Sequence, residues 1–294
     1  VYGVSKWDKL LSIISGIYRG LDYGRDGFQG IERSILDELM KTNYVSIDLG
    51  LRLWGWKKYS LPKALTRTLI PFIPGYSGDP HRALSMLKNI LEVENPEEIS
   101  GEHIFSEQDL EKTKKFLEKL NETMELINED TRNNILLRLL GFTYTVNLSG
   151  VVIDLIEAMG ALDIFMSSKS SHVDYIPLLS FDQLVLNQSL ITYLDEIDEI
   201  AMEIATLIKQ YLLTKKHILG SSDLIERPEI FIDVLSSIDH LPSDKPLTIE
   251  RNGTYIVSLR DMVRIGRIEP VKLYEFCDEE QICIVDENGD LVKA

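Results

Sequence analysis

Between Ser180 and His217, Ile191, Leu194, Ile197, Ala201, Ile204, Ile208 and Tyr211 recur at spacings of 3, 3, 4, 3, 4 and 3. That period matches 3.6 residues per turn, so the segment reads as a long amphipathic helix with a single apolar stripe. A stripe of this length needs partner elements to cover it. The same period appears upstream, and it makes the chain mainly helical.

Residues 5–20 place Trp7, Leu10, Leu11, Ile14 and Tyr18 on one helical face, and Gly20 and Gly24 end it. A second helix opens near Gly30 with Ile31, Ile35, Leu36 and Leu39, while Tyr44 to Leu49 reads as extended. A third is expected near Leu61 to Leu69, with Pro62 in its first turn and Pro71 and Pro74 beyond its end. Asp79 caps and Pro80 starts a helix running to Leu91, and Ser106 with Asp109 opens another reaching Asn128. Thr131 to Leu140 continues in helix. The β-favouring run Phe142 to Val146 then predicts a brief non-helical connection before an apolar helix from Ser149 to Phe165.

From Pro246 the period becomes strand-like. Leu247 to Glu250 and Tyr255 to Ser258 flank Asn252-Gly253, a hairpin turn pair. A short helix over Leu259 to Ile265 and strands at Val271 to Phe276 and Ile282 to Asp286 complete a small β-rich module. The expected fold class is therefore mainly α (α+β), a helical body with a C-terminal β-rich module. The polar run Ser167 to Ser171 marks a linker, which divides the chain into 1–170, a helical continuation 171–243 and the module 244–294.

Composition narrows the functional classes. No uncharged apolar stretch is long enough to span a bilayer; the nearest, Gly150 to Met166, contains Asp154, Glu157 and Asp163. The first residues lack the basic and apolar regions of a signal peptide. Cys277 and Cys283 stand six residues apart without nearby histidines, which matches no zinc or redox signature and suits a reducing, cytoplasmic setting, with a single disulfide in an exported chain as the alternative. The sequence carries no Walker A, dinucleotide, zinc-protease or nucleophile-elbow motif. No cofactor is expected on this reading.

Net charge is −16, yet residues 1–90 hold 13 Lys/Arg against 8 Asp/Glu, leaving the remainder strongly acidic. The positive excess is densest from 51 to 82. There Arg52, Lys57, Lys58, Lys63 and Arg67 alternate with Trp54, Trp56 and Tyr59. Cations with interleaved aromatics suit phosphates and unpaired bases, or an anionic membrane surface. Equally, the rings can fill a core while the cations pair with the acidic surplus. His81, beside Arg82 at a helix start, suggests a small anion pocket.

Carboxylates give the other pattern. Asp154 and Glu157 share one face of the expected apolar helix, where salt bridges to Arg138 or Lys169 would satisfy them. On the long helix Asp195 and Asp198 are also three apart. Two such pairs could hold Mg²⁺ or Mn²⁺ for an enzyme acting on a phosphorylated substrate. The leading expectation is instead a non-enzymatic interaction or regulatory protein. Its partner is expected to be a protein, with nucleic acid or an anionic membrane as further possibilities through residues 51–82.

Overall fold

The computed structural model describes residues 4–23, 26–91, 93–105, 110–124, 126–148, 151–166, 182–214, 218–219, 228–238, 245–251, 253–266, 276–277 and 282–292. The linker at 167–171, the cap at 106–109, all of the strand expected at 271–276 except Phe276, which is not in a strand, and both expected domain boundaries lie outside these residues.

Helix α1 (Lys6–Tyr18) starts with a capping box: the Ser5 hydroxyl accepts the Asp8 N–H at 3.1 Å, and the Asp8 carboxylate accepts the Ser5 N–H at 2.9 Å. Of the face that its spacing predicts, Trp7, Leu10 and Ile14 are buried and Leu11 and Tyr18 half-buried, while Ile13 and Ile17, outside that set, are buried too. Helix α2 (Gly30–Lys41) follows, then strand β1 (Val45–Leu51).

The body also contains a three-stranded antiparallel sheet, ordered β1, β2 (Leu140–Leu148), β3 (Val151–Asp154). Thus the expected non-helical connection is a nine-residue strand pairing with β1 in register Val45↔Val146 to Leu51↔Leu140. The helix expected from Ser149 instead starts at Leu155, as α7 (Leu155–Met166). Val151 to Ile153 are apolar and β-branched, and tertiary pairing decides for strand where a short apolar run fits either state. Val45, Tyr144, Val146 and Ile153 line the sheet face that packs on α1, α2 and α7.

A second, larger core gathers α3 (Leu61–Arg67), α4 (Pro80–Leu91), α5 (Leu110–Thr123), α6 (Glu129–Leu139), α8 (Asp182–Thr214) and α9 (Pro228–Ser237). Along the stripe of α8, Ile197, Ala201, Ile204, Ile208 and Tyr211 are buried, whereas Ile191 and Leu194 are exposed. The C-terminal sheet runs β4 (Ile218–Leu219), β5 (Thr248–Arg251), β6 (Thr254–Ser258), β7 (Ile282–Val285). Leu247, Ile249 and Ile256 join the helical core from this sheet. Buried Asp261, in α10 (Leu259–Arg264), accepts the Leu247 N–H at 2.6 Å and so ties that helix to the start of β5. The sulfurs of Cys277 and Cys283 form a disulfide, the alternative to the free thiols of a reducing compartment.

The contact between the α3–α4 connection and α8 depends on Gly78. Its φ is +74°, and a Cβ there would lie 2.1 Å from the Ala201 carbonyl oxygen. Gly78→Ala should therefore destabilise the chain by about 3 kcal/mol, combining left-handed strain with displacement of a helix backbone. Gly266→Ala is the control, since φ there is +69° but nothing lies within 4 Å. It should cost only about 1 kcal/mol. Urea unfolding of both variants measures the difference, and equal costs would show that the close approach contributes nothing.

Candidate functional site

The segment from Arg52 to Arg67 carries its aromatics inward. Trp54 and Trp56 are each only 2% exposed, and Trp54 stacks on Tyr59 with centroids 4.7 Å apart. The fold demands this burial: Gly50 lets the Trp56 ring lie across β1, since a Cβ at that position would meet the ring at 2.3 Å. These indoles therefore cannot serve as open platforms for bases.

The cations divide into two groups. Arg52 and Arg67 are buried. The Arg52 guanidinium pairs with buried Asp22, donates to the Phe142 carbonyl at 2.9 Å and lies 5.0 Å from the Tyr23 ring. Arg67 donates through Nε and Nη2 to both oxygens of Asp198, each at 2.7 Å, while its guanidinium sits 5.1 Å from the Trp54 ring. Those two hydrogen bonds hold the Asp198 carboxyl below its ordinary range. Beside this pair, Trp54, Arg67, Ile156 and Met159 line a cavity of about 30 Å³, room for a water molecule.

Lys57, Lys58 and Lys63 form the second group, at or near the surface. Lys57 meets Asp48 at 3.1 Å and lies 5.1 Å from the Trp56 ring. Lys58 reaches buried Glu157 at 3.2 Å. Burial pushes the Glu157 carboxyl up, and the Lys58 ammonium opposes that shift. Lys63 is exposed on α3, and its charge also helps hold Asp198 down.

Asp154 and Glu157 do not share a helical face. Asp154 ends β3 and caps α7, its Oδ1 accepting the Ile156 N–H at 2.7 Å and the Glu157 N–H at 3.4 Å. Burial raises its carboxyl to about 7, with the Glu157 charge adding to the shift. The partner of Glu157 is Lys58; Arg138 instead donates to the Ser237 carbonyl at 2.5 Å, and Lys169 lies outside the described residues. Asp195 lies within α8, and its side chain is not among those described. Glu157 and Asp198 thus answer different cations on different elements. Among the described residues, no group of three or more His, Cys, Asp or Glu is placed to hold a metal ion.

A separate feature is a cleft of about 330 Å³ between the residues leading into α4 and the C-terminal part of α8. The sequence marked its edge at the start of α4, where Arg82 lines the cleft and His81 does not. The α8 side, including Met202, Thr206 and Lys209, carried no signal beyond helical period. Among the described residues, no helix is long and apolar enough to cross a membrane.

A family model described as archaeal Cdc45 matches residues 2–172. No curated protein matches the chain. Among solved structures, the crystal structure of CDC45 from Entamoeba histolytica aligns with a TM-score of 0.49 at 8% identity, covering 86% of this chain and 57% of that one. The chain thus spans little more than half the length of that protein.

Proposed function

Because the chain belongs to the archaeal Cdc45 family, we propose that it is a replication-associated interaction protein, not an enzyme, and that it meets an anionic partner through Lys57, Lys58 and Lys63. The observation that carries this reading is the placement of those three lysines at or near the surface of one short stretch, in a chain whose net charge is −16. An acidic molecule repels nucleic acid as a whole, so a local cationic rim decides where contact begins. The interaction role draws further support from the candidate carboxylates. Glu157 is held by Lys58, Asp198 by Arg67, and Asp154 by backbone N–H groups.

Binding of a labelled oligothymidylate, followed by fluorescence anisotropy between about 50 and about 200 mM salt, tests the rim. Lys57→Glu with Lys63→Glu should weaken binding at least about tenfold and flatten the salt dependence by roughly 0.7 per lost phosphate contact. Lys58 is left in place because it neutralises the buried carboxylate of Glu157. Binding that is unchanged by the double reversal overturns the assignment of the rim. Retention on anionic vesicles but not on oligothymidylate identifies the anionic partner as a lipid surface rather than a nucleic acid.

A further inference from the structure

We infer that the cleft between α4 and α8 is a docking site for a linear peptide segment of a partner protein, with an apolar side chain flanked by carboxylates. The floor is apolar: Phe72, Pro74, Ile208 and Leu212 are buried beneath it. At about 330 Å³ it holds one or two side chains, at the small end of ligand-sized pockets. Two large apolar residues stand at its mouth, Leu126 at 44% and Met202 at 49% exposure. Leu126 also has a φ of +68°. A leucine held in the left-handed region and open to water is disfavoured twice over, and such positions concentrate at binding sites.

Charge selects the occupant. Arg82 and Lys209 both line the cleft, and Asp79 is the single carboxylate among its lining residues. That carboxylate is engaged with its own helix, accepting the Arg82 N–H at 2.9 Å. The Arg82 side chain is anchored by donation to the Thr123 carbonyl at 2.8 Å and by the Tyr76 ring 5.4 Å away, so its charge is fixed in place. Lys209 is exposed and takes part in no ion pair among the described residues. In a chain of net charge −16, two cations at the mouth of an apolar cleft repel a basic peptide and attract an acidic one. A nucleobase fits less well, because no exposed aromatic face lines the cleft for it to stack on.

This site shares no residue with the lysine rim, so either can fail alone. The probe is a phage-displayed library of random peptides, panned on the intact chain, with enriched sequences then synthesised and titrated by anisotropy. Enriched peptides should combine Asp or Glu with Leu, Ile or Phe. Lys209→Glu should weaken them about tenfold, and Thr206→Trp, which fills the mouth from an exposed helical position, should abolish binding. Both variants should unfold at the wild-type temperature, and Lys57→Glu with Lys63→Glu should bind the peptides normally. The inference is overturned if no peptide is enriched or if the enriched peptides are basic. It is equally overturned if affinity ignores both cleft variants, or if the rim variant abolishes peptide binding.

Discussion

Asp22→Ala should destabilise the chain by about 3–5 kcal/mol, because it strands a buried guanidinium without its counter-charge. Arg52 and Asp22 are 4% and 2% exposed. Arg52 Nη2 donates to Asp22 Oδ1 at 3.1 Å, and Nη1 pairs with the other oxygen. Its backbone N–H donates to the Leu139 carbonyl at 2.7 Å, so the residue also joins the end of β1 to the end of α6, where β2 begins. The loop after α1 supplies the counter-charge. Arg52→Met should be comparably costly, since it leaves the buried Asp22 carboxylate without the Arg52 counter-charge and with the Tyr144 hydroxyl still hydrogen-bonded to it. The double variant Asp22→Leu with Arg52→Met should recover much of the loss, because an apolar pair pays no desolvation. Urea unfolding across this double-mutant cycle gives the coupling. Single variants within about 0.5 kcal/mol of wild type, the range of an ordinary surface substitution, would refute a structural role for the pair.

Local pattern carried the helices well. The spacing of Ile197 to Tyr211 identified a face that is buried, that of Trp7 to Tyr18 one that is buried at Trp7, Leu10 and Ile14, and Asn252-Gly253 identified the hairpin that pairs Ile249 with Ile256. Periodicity names a face but not how far its cover extends, which is why Ile191 and Leu194 extend the stripe yet lie exposed. The first sheet was not legible because β1 and β2 are about a hundred residues apart, and nothing local in Phe142 to Val146 announces a partner. Missing β3 then misplaced Asp154, since the same apolar run fits a helix start until its pairing with β2 is known. The site was legible in kind rather than in arrangement. Residue type identified Arg52, Lys58 and Arg67 as cations needing anions, but the anions, Asp22, Glu157 and Asp198, come from elements far away in sequence. The cleft was least legible of all, because Arg82, Leu126 and Lys209 come from three distant segments.

Asp154→Asn should make stability less sensitive to pH and should be most stabilising above pH 7. The side-chain oxygen that caps α7 survives this substitution, so the hydrogen bonds from the Ile156 and Glu157 N–H groups can persist. What disappears is the titration. Burial, reinforced by Glu157, raises the Asp154 carboxyl from an ordinary 3.8 to about 7. A raised carboxyl favours the folded state only while protonated. Below about 4 both folded and unfolded chains carry the proton and the contribution is complete; between about 4 and about 7 only the folded chain keeps it, and stability falls as pH rises. Above that window the loss is constant. At about 1.4 kcal/mol per unit the full swing is on the order of 4 kcal/mol, reduced in practice because the residue keeps some surface. Unfolding free energies of wild type and variant, measured in urea from pH 4 to pH 8, should therefore diverge through that interval and then run parallel. A constant difference across the whole range would mean that Asp154 is ionised throughout, its charge already balanced by the N–H groups it caps.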